Sequence, residues 1–277
     1  MSTNRIIDVM VTESFPYPVA AAWHRALSRT SDSERLKHGL ATFEVLLRTL
    51  GAALLLDYLR GVRTPTVDAL LKQLDKPSLG HWVGLIRETA RALNDRASEE
   101  VFFGPAGAWY FTTRGKPTEI ANRIDALVTL RNQDVHDTPT SAGPALAGRA
   151  NQVFSELRAI FESLSWLRGY RLFRIKGLKR RRSRQTQFEG KATFFAGKDS
   201  APIPISTQLG AIGGDLLPDA CYMASPTGQQ ILEVTPFIRV EYDDRLNQER
   251  VFLLRQTVKG KHILLVNDDT GDLRARA

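Results

Sequence analysis

The fold of this chain is decided by residues 31–60, which read SDSERLKHGLATFEVLLRTLGAALLLDYLR. Their apolar side chains recur every three or four positions, the spacing of one buried helix face (Leu36, Leu40, Phe43, Leu47, Leu50 and Leu54). Ser31 stands where a helix N-cap belongs and Glu34 lies in the first turn, so the pattern predicts one long helix over the whole segment. Gly39 and Gly51 inside it allow another helix to approach closely.

Further helices are predicted on both sides of this one. Apolar spacing, prolines and capping residues indicate them over residues 15–29, 66–74, 79–93, 99–103 and 145–167. Pro117 opens another, whose buried stripe is formed by Ile120, Ile124, Leu127, Val128 and Leu130. Residues 104–115 are rich in glycine and aromatic side chains and are predicted to be an irregular loop. Helices in this order pack as a compact bundle.

Beyond residue 187 the pattern is that of β-strands. Residues 187–195 alternate, and residues 231–242 are rich in Val, Ile, Phe and Tyr. A hairpin is predicted around Lys259-Gly260, with its strands at residues 250–258 and 262–267. Pro236 lies inside its strand and indicates an edge or a bulge, while the segment between residues 197 and 218 is predicted to be mostly loop.

The sequence therefore predicts an α+β protein with two domains. A helical bundle occupies residues 1–168, a basic linker residues 169–187, and a small antiparallel β domain residues 188–277. The chain has 277 residues, of which 43% are hydrophobic, and this is enough for two globular domains.

The helix that opens at Pro117 ends in the most informative run of side chains, RNQDVH at residues 131–136. Arg131 can hold a phosphate and offset its developing negative charge. His136 titrates near neutral pH and can move a proton. Asn132 can orient either partner or the substrate. A guanidinium, an amide and an imidazole suffice for RNA cleavage without a metal ion.

Helical geometry decides which of these groups share a face. Asn132 and His136 are four positions apart and lie on the same face. Arg131 and His136 are five positions apart, so they diverge by about 140° in an ideal helix. They converge if the last turn loosens, which Pro139 favours because it disfavours helical backbone in the residue before it. They also converge if two chains meet and each supplies part of the site.

This motif, at the end of a long helix in an all-helical region with a long amphipathic helix upstream, resembles the HEPN superfamily. The resemblance covers about the first 165 residues. It implies a metal-independent endoribonuclease that acts as a homodimer on RNA, with two motifs facing one cleft and no cofactor. It assigns phosphate binding and charge stabilisation to Arg131, orientation to Asn132, and acid/base chemistry on the 2′-hydroxyl or leaving oxygen to His136. By analogy the setting would be a bacterial toxin or anti-phage defence effector, restrained by an antitoxin or regulatory protein.

A second hypothesis keeps the helical domain without the chemistry. Arg131 and Asp134 are three positions apart and could form a solvated ion pair, and His136 could cap the negative end of the helix dipole. Some HEPN domains are inactive and serve as interaction modules. The chain would then be a non-catalytic module that dimerises or binds nucleic acid.

The net charge of +8 is concentrated in one stretch. Residues 168–184 hold nine basic and no acidic side chains, which leaves the remainder of the chain at −1. Nucleic-acid phosphate is the leading partner for this stretch, and the alternative is a solvated linker extended by charge repulsion. Trp166, Tyr170 and Phe173 could stack on unpaired bases or belong to the core. The proposed nucleic-acid contacts are Arg171, Arg174, Lys176, Lys179, Arg180, Arg181, Arg182 and Arg184.

Other chemistry finds little support in the sequence. Cys221 is the one cysteine, which excludes an intrachain disulfide and a cysteine-rich zinc site, and we expect it to be buried. His81 beside Trp82 is expected to be a packing residue. The Asp243-Asp244 and Asp268-Asp269 pairs lie at strand ends, where aspartate favours turns, so no metal site is predicted. The N-terminus does not resemble a signal peptide and the most apolar run is too short to cross a bilayer, so we expect a cytoplasmic protein.

Overall fold

Helix α3, Asp32–Leu59, is the axis of the protein, and its prediction from the sequence is confirmed. Ser31 is its N-cap, and the Ser31 hydroxyl accepts a hydrogen bond from the Glu34 amide at 3.3 Å. The structure is a computed structural model that describes residues 2–96, 100–136, 144–181, 187–205, 216–243, 247–258, 262–267 and 272–276.

Nearly the whole circumference of α3 is covered by other elements. Its length and the composition of its most apolar 18-residue window would allow it to cross a membrane. However, 78% of that window is buried inside the protein. The core helix of a globular protein shows this combination, because it must be apolar on several faces at once.

Seven further α-helices surround α3 within the described residues. They are α1 (Thr3–Ser14), α2 (Tyr17–Leu27), α4 (Pro65–Leu71), α5 (Leu79–Asn94), α6 (Ala106–Tyr110), α7 (Glu119–His136) and α8 (Pro144–Ser163), and a 3-10 turn, Ser165–Leu167, follows α8. The predictions of α2, α4, α5, α7 and α8 are confirmed with shifts of a few residues at their ends. Helix α1 was not predicted. Helix α6 was not predicted either, and it lies within the segment that was expected to be an irregular loop.

A short helix predicted at residues 99–103 is not found over residues 101–103, and a buried carboxylate explains why. Asp57, on the last turn of α3, is completely buried. Its carboxylate accepts hydrogen bonds from the backbone amides of Phe102 and Phe103, both at 2.9 Å. These two amides therefore donate to a side-chain carboxylate and not to the backbone carbonyls of a helical turn. Burial raises the pKa of Asp57, although the two amide donors act in the opposite direction.

Two glycines let neighbouring helices approach α3, as the sequence predicted. A Cβ atom on Gly39 would lie 2.9 Å from the Cγ1 atom of Val153 on α8. A Cβ atom on Gly51 would lie 2.8 Å from the Cε3 atom of Trp82 on α5. Both distances are shorter than carbon atoms tolerate, so a larger residue at either position would push the two helices apart.

The C-terminal part of the chain, from residue 171 on, forms two antiparallel sheets within the described residues. The first has the strand order β3-β2-β1-β4-β5 and the second the order β6-β7-β8-β9. The strands are β1 (Arg171–Arg181), β2 (Gln187–Ala196), β3 (Asp199–Ile205), β4 (Cys221–Ala224), β5 (Ile231–Glu233), β6 (Ile238–Asp243), β7 (Gln248–Val258), β8 (His262–Val266) and β9 (Leu273–Arg276). The α+β class predicted from the sequence is confirmed.

Strand boundaries differ from the prediction in three places. The segment predicted as a basic linker contains β1. The segment predicted as mostly loop contains β3. The strand predicted over residues 231–242 is divided, because Pro236 lies in a turn between β5 and β6, which belong to different sheets. Proline cannot donate to a strand ladder, so the chain leaves one sheet here and enters the other.

The helices and the sheets share one hydrophobic core. Leu172 on β1 and Met223 on β4 pack with the helical core. Phe173, the residue after Leu172, points to the other face of the sheet and packs there in a smaller cluster. Hydrogen bonds also join the two parts. The Gly169 amide donates to the Ser14 carbonyl at 2.9 Å, and the Lys198 amide donates to the Thr12 carbonyl at 2.7 Å.

We predict opposite effects for the same substitution at two helical glycines. Gly51→Ala should lower the free energy of unfolding by about 1–3 kcal/mol, because the new methyl group overlaps Trp82. Gly84→Ala on α5 should raise it by about 0.5–1 kcal/mol through helix propensity, because the nearest atom would be 3.8 Å away. Urea unfolding followed by circular dichroism measures both. Equal stability of the two variants would contradict this account of α3 packing.

Candidate nucleic-acid interface

Helix α7 brings the predicted catalytic motif to the surface of the bundle. Its inner face is buried through Ala121, Ile124 and Leu127. Its outer face is polar and exposed, and Asn132 and Gln133 near its C-terminal end are exposed to solvent. The first part of the motif therefore lies on a helix whose other face is fixed in the core.

The Arg131 guanidinium is held against α3 by an acidic residue. Its Nε atom donates a hydrogen bond to the Oε1 atom of Glu44 at 2.9 Å, and its side chain is 32% exposed. The other carboxylate oxygen of Glu44 pairs with Arg48 at 3.1 Å. Among the described residues, no acceptor bonds to the two Nη groups of Arg131. These groups retain their capacity to bind another anion.

Helix α7 includes His136, so its last turn is helical rather than loosened. In this geometry positions 131 and 136 lie about 140° apart around the axis. One copy of the chain therefore does not present both positions on the same face of the helix. The side chains of residues 134–136 lie outside the described part of the protein. An Arg131–Asp134 pair and a capping role for His136 thus stay predictions.

An open pocket lies between α2 and α3, beside Glu44. Its walls are formed by Ala22, Arg25, His38, Ala41, Thr42, Glu44 and Val45. Burial lowers the pKa of His38, and the charges of Arg29, Arg25 and Lys37 lower it further against the opposing effect of Glu34.

Sequence reasoning missed both Glu44 and His38. Glu44 is 87 positions from Arg131, so no local spacing relates them. His38 lies within the long helix without a motif around it. Its proximity to Arg25 on α2 and to Arg29 just after α2 follows from how α2 packs on α3.

No family model, no curated protein and no solved structure matches this chain. The HEPN resemblance therefore stays a prediction drawn from the motif and its helical context.

The basic stretch is partly neutralised within the protein. The Arg174 Nη2 atom bonds to Asp219 at 2.7 Å, and its Nη1 atom bonds to Glu249 at 3.0 Å. Lys176 pairs with the other oxygen of Glu249 at 3.1 Å. Glu249 is almost completely buried, so these two cations offset its charge and stabilise the sheet. Glu249 would compete with a phosphate for both cations, and their role as phosphate contacts stays a prediction.

The other members of the predicted nucleic-acid set have different positions. Arg171 begins β1 and is exposed. Residues Lys179, Arg180 and Arg181 lie in the second half of β1, but their side chains are outside the described part. Arg182 and Arg184 lie outside the described residues. Binding by these positions stays a prediction.

The three aromatic side chains considered for base stacking belong to the core. The Tyr170 hydroxyl donates to the Phe102 carbonyl at 3.1 Å, and burial raises the pKa of Tyr170 to about 12. Trp166 packs edge-on against Tyr170. Phe173 is fully buried and stacks on Tyr222. Tyr170 and Phe173 are therefore too deeply buried to stack on a base, while Trp166 is partly buried.

Three other side chains considered from the sequence have structural partners. Cys221 is buried, its Sγ atom accepts a hydrogen bond from the Val240 amide at 3.1 Å, and burial raises its pKa to about 11. His81 caps α5, since its Nδ1 atom accepts from the Ser78 amide at 3.0 Å. Asp243 pairs with Arg250 at 2.6 Å. Asp244, Asp268 and Asp269 lie outside the described residues. Elsewhere the described residues contain no group of three metal-ligating side chains.

Two arginines on β1 should respond differently to removal. Arg174→Ala should lower the free energy of unfolding by about 1–3 kcal/mol, because it leaves the buried Glu249 with one cation fewer. Arg171→Ala should change it by less than about 0.5 kcal/mol, because this side chain is exposed. Urea unfolding measures both, and an Arg174→Ala protein as stable as Arg171→Ala would contradict a structural role for Arg174.

Proposed function

We propose that this chain is a metal-independent endoribonuclease of the HEPN type. Arg131, Asn132 and His136 are the residues that would carry the reaction. The observations that best support the proposal are the exposure of Asn132 near the end of α7 and the Nη groups of Arg131, to which no acceptor bonds among the described residues. A guanidinium in this position can bind a phosphodiester through two parallel hydrogen bonds.

The proposed reaction is an internal transesterification. The ribose 2′-hydroxyl oxygen attacks phosphorus, the bond from phosphorus to the 5′ oxygen breaks, and the products are a 2′,3′-cyclic phosphate and a 5′-hydroxyl. His136 would take the proton of the 2′-hydroxyl or give one to the leaving oxygen. Arg131 would stabilise the extra negative charge on the phosphoryl oxygens in the transition state. No cofactor is needed for these steps.

The proposed active form is a homodimer with two motifs at one cleft. Because positions 131 and 136 face different directions on a continuous helix, a second copy would complete each site. RNA is the proposed substrate. We also propose that the protein acts in the cytoplasm as a toxin or an anti-phage effector, and that an antitoxin or regulatory protein restrains it. These proposals rest on analogy with the family alone.

The second candidate is a non-catalytic module that dimerises or binds nucleic acid. The ion pair between Arg131 and Glu44 favours it, because a carboxylate already offsets part of the guanidinium charge. In that case Arg131 would be a structural partner of α3.

Single substitutions in the motif separate the two candidates. Arg131→Ala and His136→Ala should each reduce RNA cleavage by about 10²–10⁴-fold while the fold is retained, because each removes a group that acts on the reacting atoms. Arg123→Ala is the matched control, since it removes an arginine of the same helix that pairs with Glu119 and Glu156. It should retain activity near that of the wild type. The measurement is a gel-based cleavage assay on total RNA, with and without EDTA.

Three outcomes would reject the nuclease mechanism. They are cleavage that persists in the His136→Ala protein, cleavage that requires magnesium, and products with a 3′-hydroxyl end. RNA binding without cleavage by the wild-type protein would favour the non-catalytic module.

A further inference from the structure

The first sheet, β3-β2-β1-β4-β5, packs one of its two faces against the helical core. Alternate residues of a strand lie on opposite faces, so the packing of individual residues shows which positions belong to which face. Leu172 and Phe195 pack with the helical core. Their neighbours in the chain, Phe173 and Phe194, belong to the smaller cluster on the other side. Phe173 and Phe194 thus define the outer face of the first sheet.

Strand β2 has two aromatic residues on the outer face, with only small residues between them. The alternation that starts at Phe194 places Ala192, Gly190 and Phe188 on the same face. The bulge of the β1–β2 pair adds a residue to β1, so the alternation along β2 is not interrupted. Six residues of strand separate the two phenylalanines, which places them about 20 Å apart. The strand therefore offers aromatic residues at two separate points of one face.

Phe194 is partly exposed and stands at the end of a row of rings. Its ring stacks on that of Phe173, with the centroids 5.0 Å apart and 16° between the planes. Phe173 stacks in turn on Tyr222. The neighbour of Phe194 on β3 is Ala201, which is a small residue. The row of three rings therefore ends at Phe194, where a flat aromatic base can extend it by the same kind of stacking.

Arginines lie near both ends of the outer face. Arg171 is exposed and shares this face with Phe173, two positions further along β1. Toward the other end, Arg180 is the cross-strand partner of Phe188, and directly opposite residues of two strands lie on the same face. Cations beside an aromatic strand face can hold a nucleic-acid backbone while the bases stack.

This combination favours an unpaired strand over a duplex. The bases of a duplex are stacked on one another inside the double helix, so their flat surfaces are not accessible to protein rings. Unpaired bases can be splayed out and stacked on aromatic side chains. Such contacts tolerate any sequence, because every base has an aromatic surface.

We propose that the outer face of the first sheet binds an unpaired stretch of the RNA that the helical domain cleaves. Bases stack at Phe188 and Phe194, and Arg171 and Arg180 hold backbone phosphates. The identity of the ligand as RNA rests on the proposed function. The preference for an unpaired strand rests on the aromatic residues of the outer face.

The test uses a ligand that cannot be cleaved. A fluorescein-labelled single-stranded oligonucleotide with 2′-O-methyl ribose throughout lacks the attacking hydroxyl, so its binding is measured apart from catalysis. Fluorescence anisotropy gives the affinity of the full-length protein at several salt concentrations, and the slope of log affinity against log salt reports the number of phosphate contacts. The same strand annealed to its complement should bind about tenfold more weakly, because its bases are already stacked.

Two phenylalanine variants test the stacking contacts. Phe188→Leu and Phe194→Leu should each weaken binding of the single strand about tenfold, because leucine stays apolar but has no ring for a base to stack on. Phe237→Leu is the matched control, since Phe237 is also partly buried but lies outside the first sheet, and it should bind as the wild type does. Circular dichroism checks the fold of each variant, and Phe188→Leu decides if Phe194→Leu does not fold.

Two arginine variants test the phosphate contacts. Arg171→Gln should reduce the salt slope by about one, because it removes one phosphate contact. Arg255→Gln removes the same charge at an exposed position of β7 in the second sheet, and it should leave the slope unchanged. The phenylalanine variants should also leave the slope unchanged, because they remove no charge.

The outcomes separate this inference from the nuclease proposal. Phenylalanine variants that bind as Phe237→Leu does overturn the outer-face contact, even when cleavage depends on Arg131 and His136. Equal affinity for the single strand and the duplex overturns it, and so does a protein that binds neither. Weaker binding by the outer-face variants in a protein that never cleaves RNA supports the contact while the nuclease proposal fails.

Discussion

The burial of α3 on nearly all sides is the constraint on which the rest of the structure depends. A helix of 28 residues that is apolar around most of its circumference must be enclosed by other elements. Helices α2, α5 and α8 enclose it directly, and α5 and α8 approach most closely where Gly51 and Gly39 remove a side chain. The C-terminal end of α3 is fixed by the completely buried carboxylate of Asp57, which binds the backbone of the segment leading to α6.

The same helix determines the geometry of the proposed site. Glu44 holds the Arg131 guanidinium at a fixed position relative to the core, and His38 lies further toward the start of α3, near Arg25 and Arg29. A residue two-thirds buried against a rigid helix loses little conformational freedom when it binds a ligand. Glu44 also competes with any incoming phosphate, so this ion pair limits how strongly Arg131 can bind an anion.

Local signals in the sequence predicted the helices around α3 and the placement of the motif at the end of α7. The Ser31 cap and the apolar spacing of α3 are such signals, since they depend on neighbouring residues. The missed features depend on distant ones. Strand β1 forms because it pairs with β2 and β4. Its many basic residues led to the prediction of a linker, although Leu172 and Phe173 are apolar side chains on its two faces. Helix α1 buries few side chains, and the Asp8–Arg158 ion pair ties it to α8.

The central claim is that Arg131 of one chain and His136 of another act on the same phosphodiester. Co-expression of the Arg131→Ala and His136→Ala chains in equal amounts tests it most directly. Half of the dimers then contain one copy of each chain, and one of their two sites has both residues intact. The account predicts recovery of about a quarter of the wild-type cleavage rate, although each variant alone is inactive. A mixture as inactive as the separate variants would contradict it.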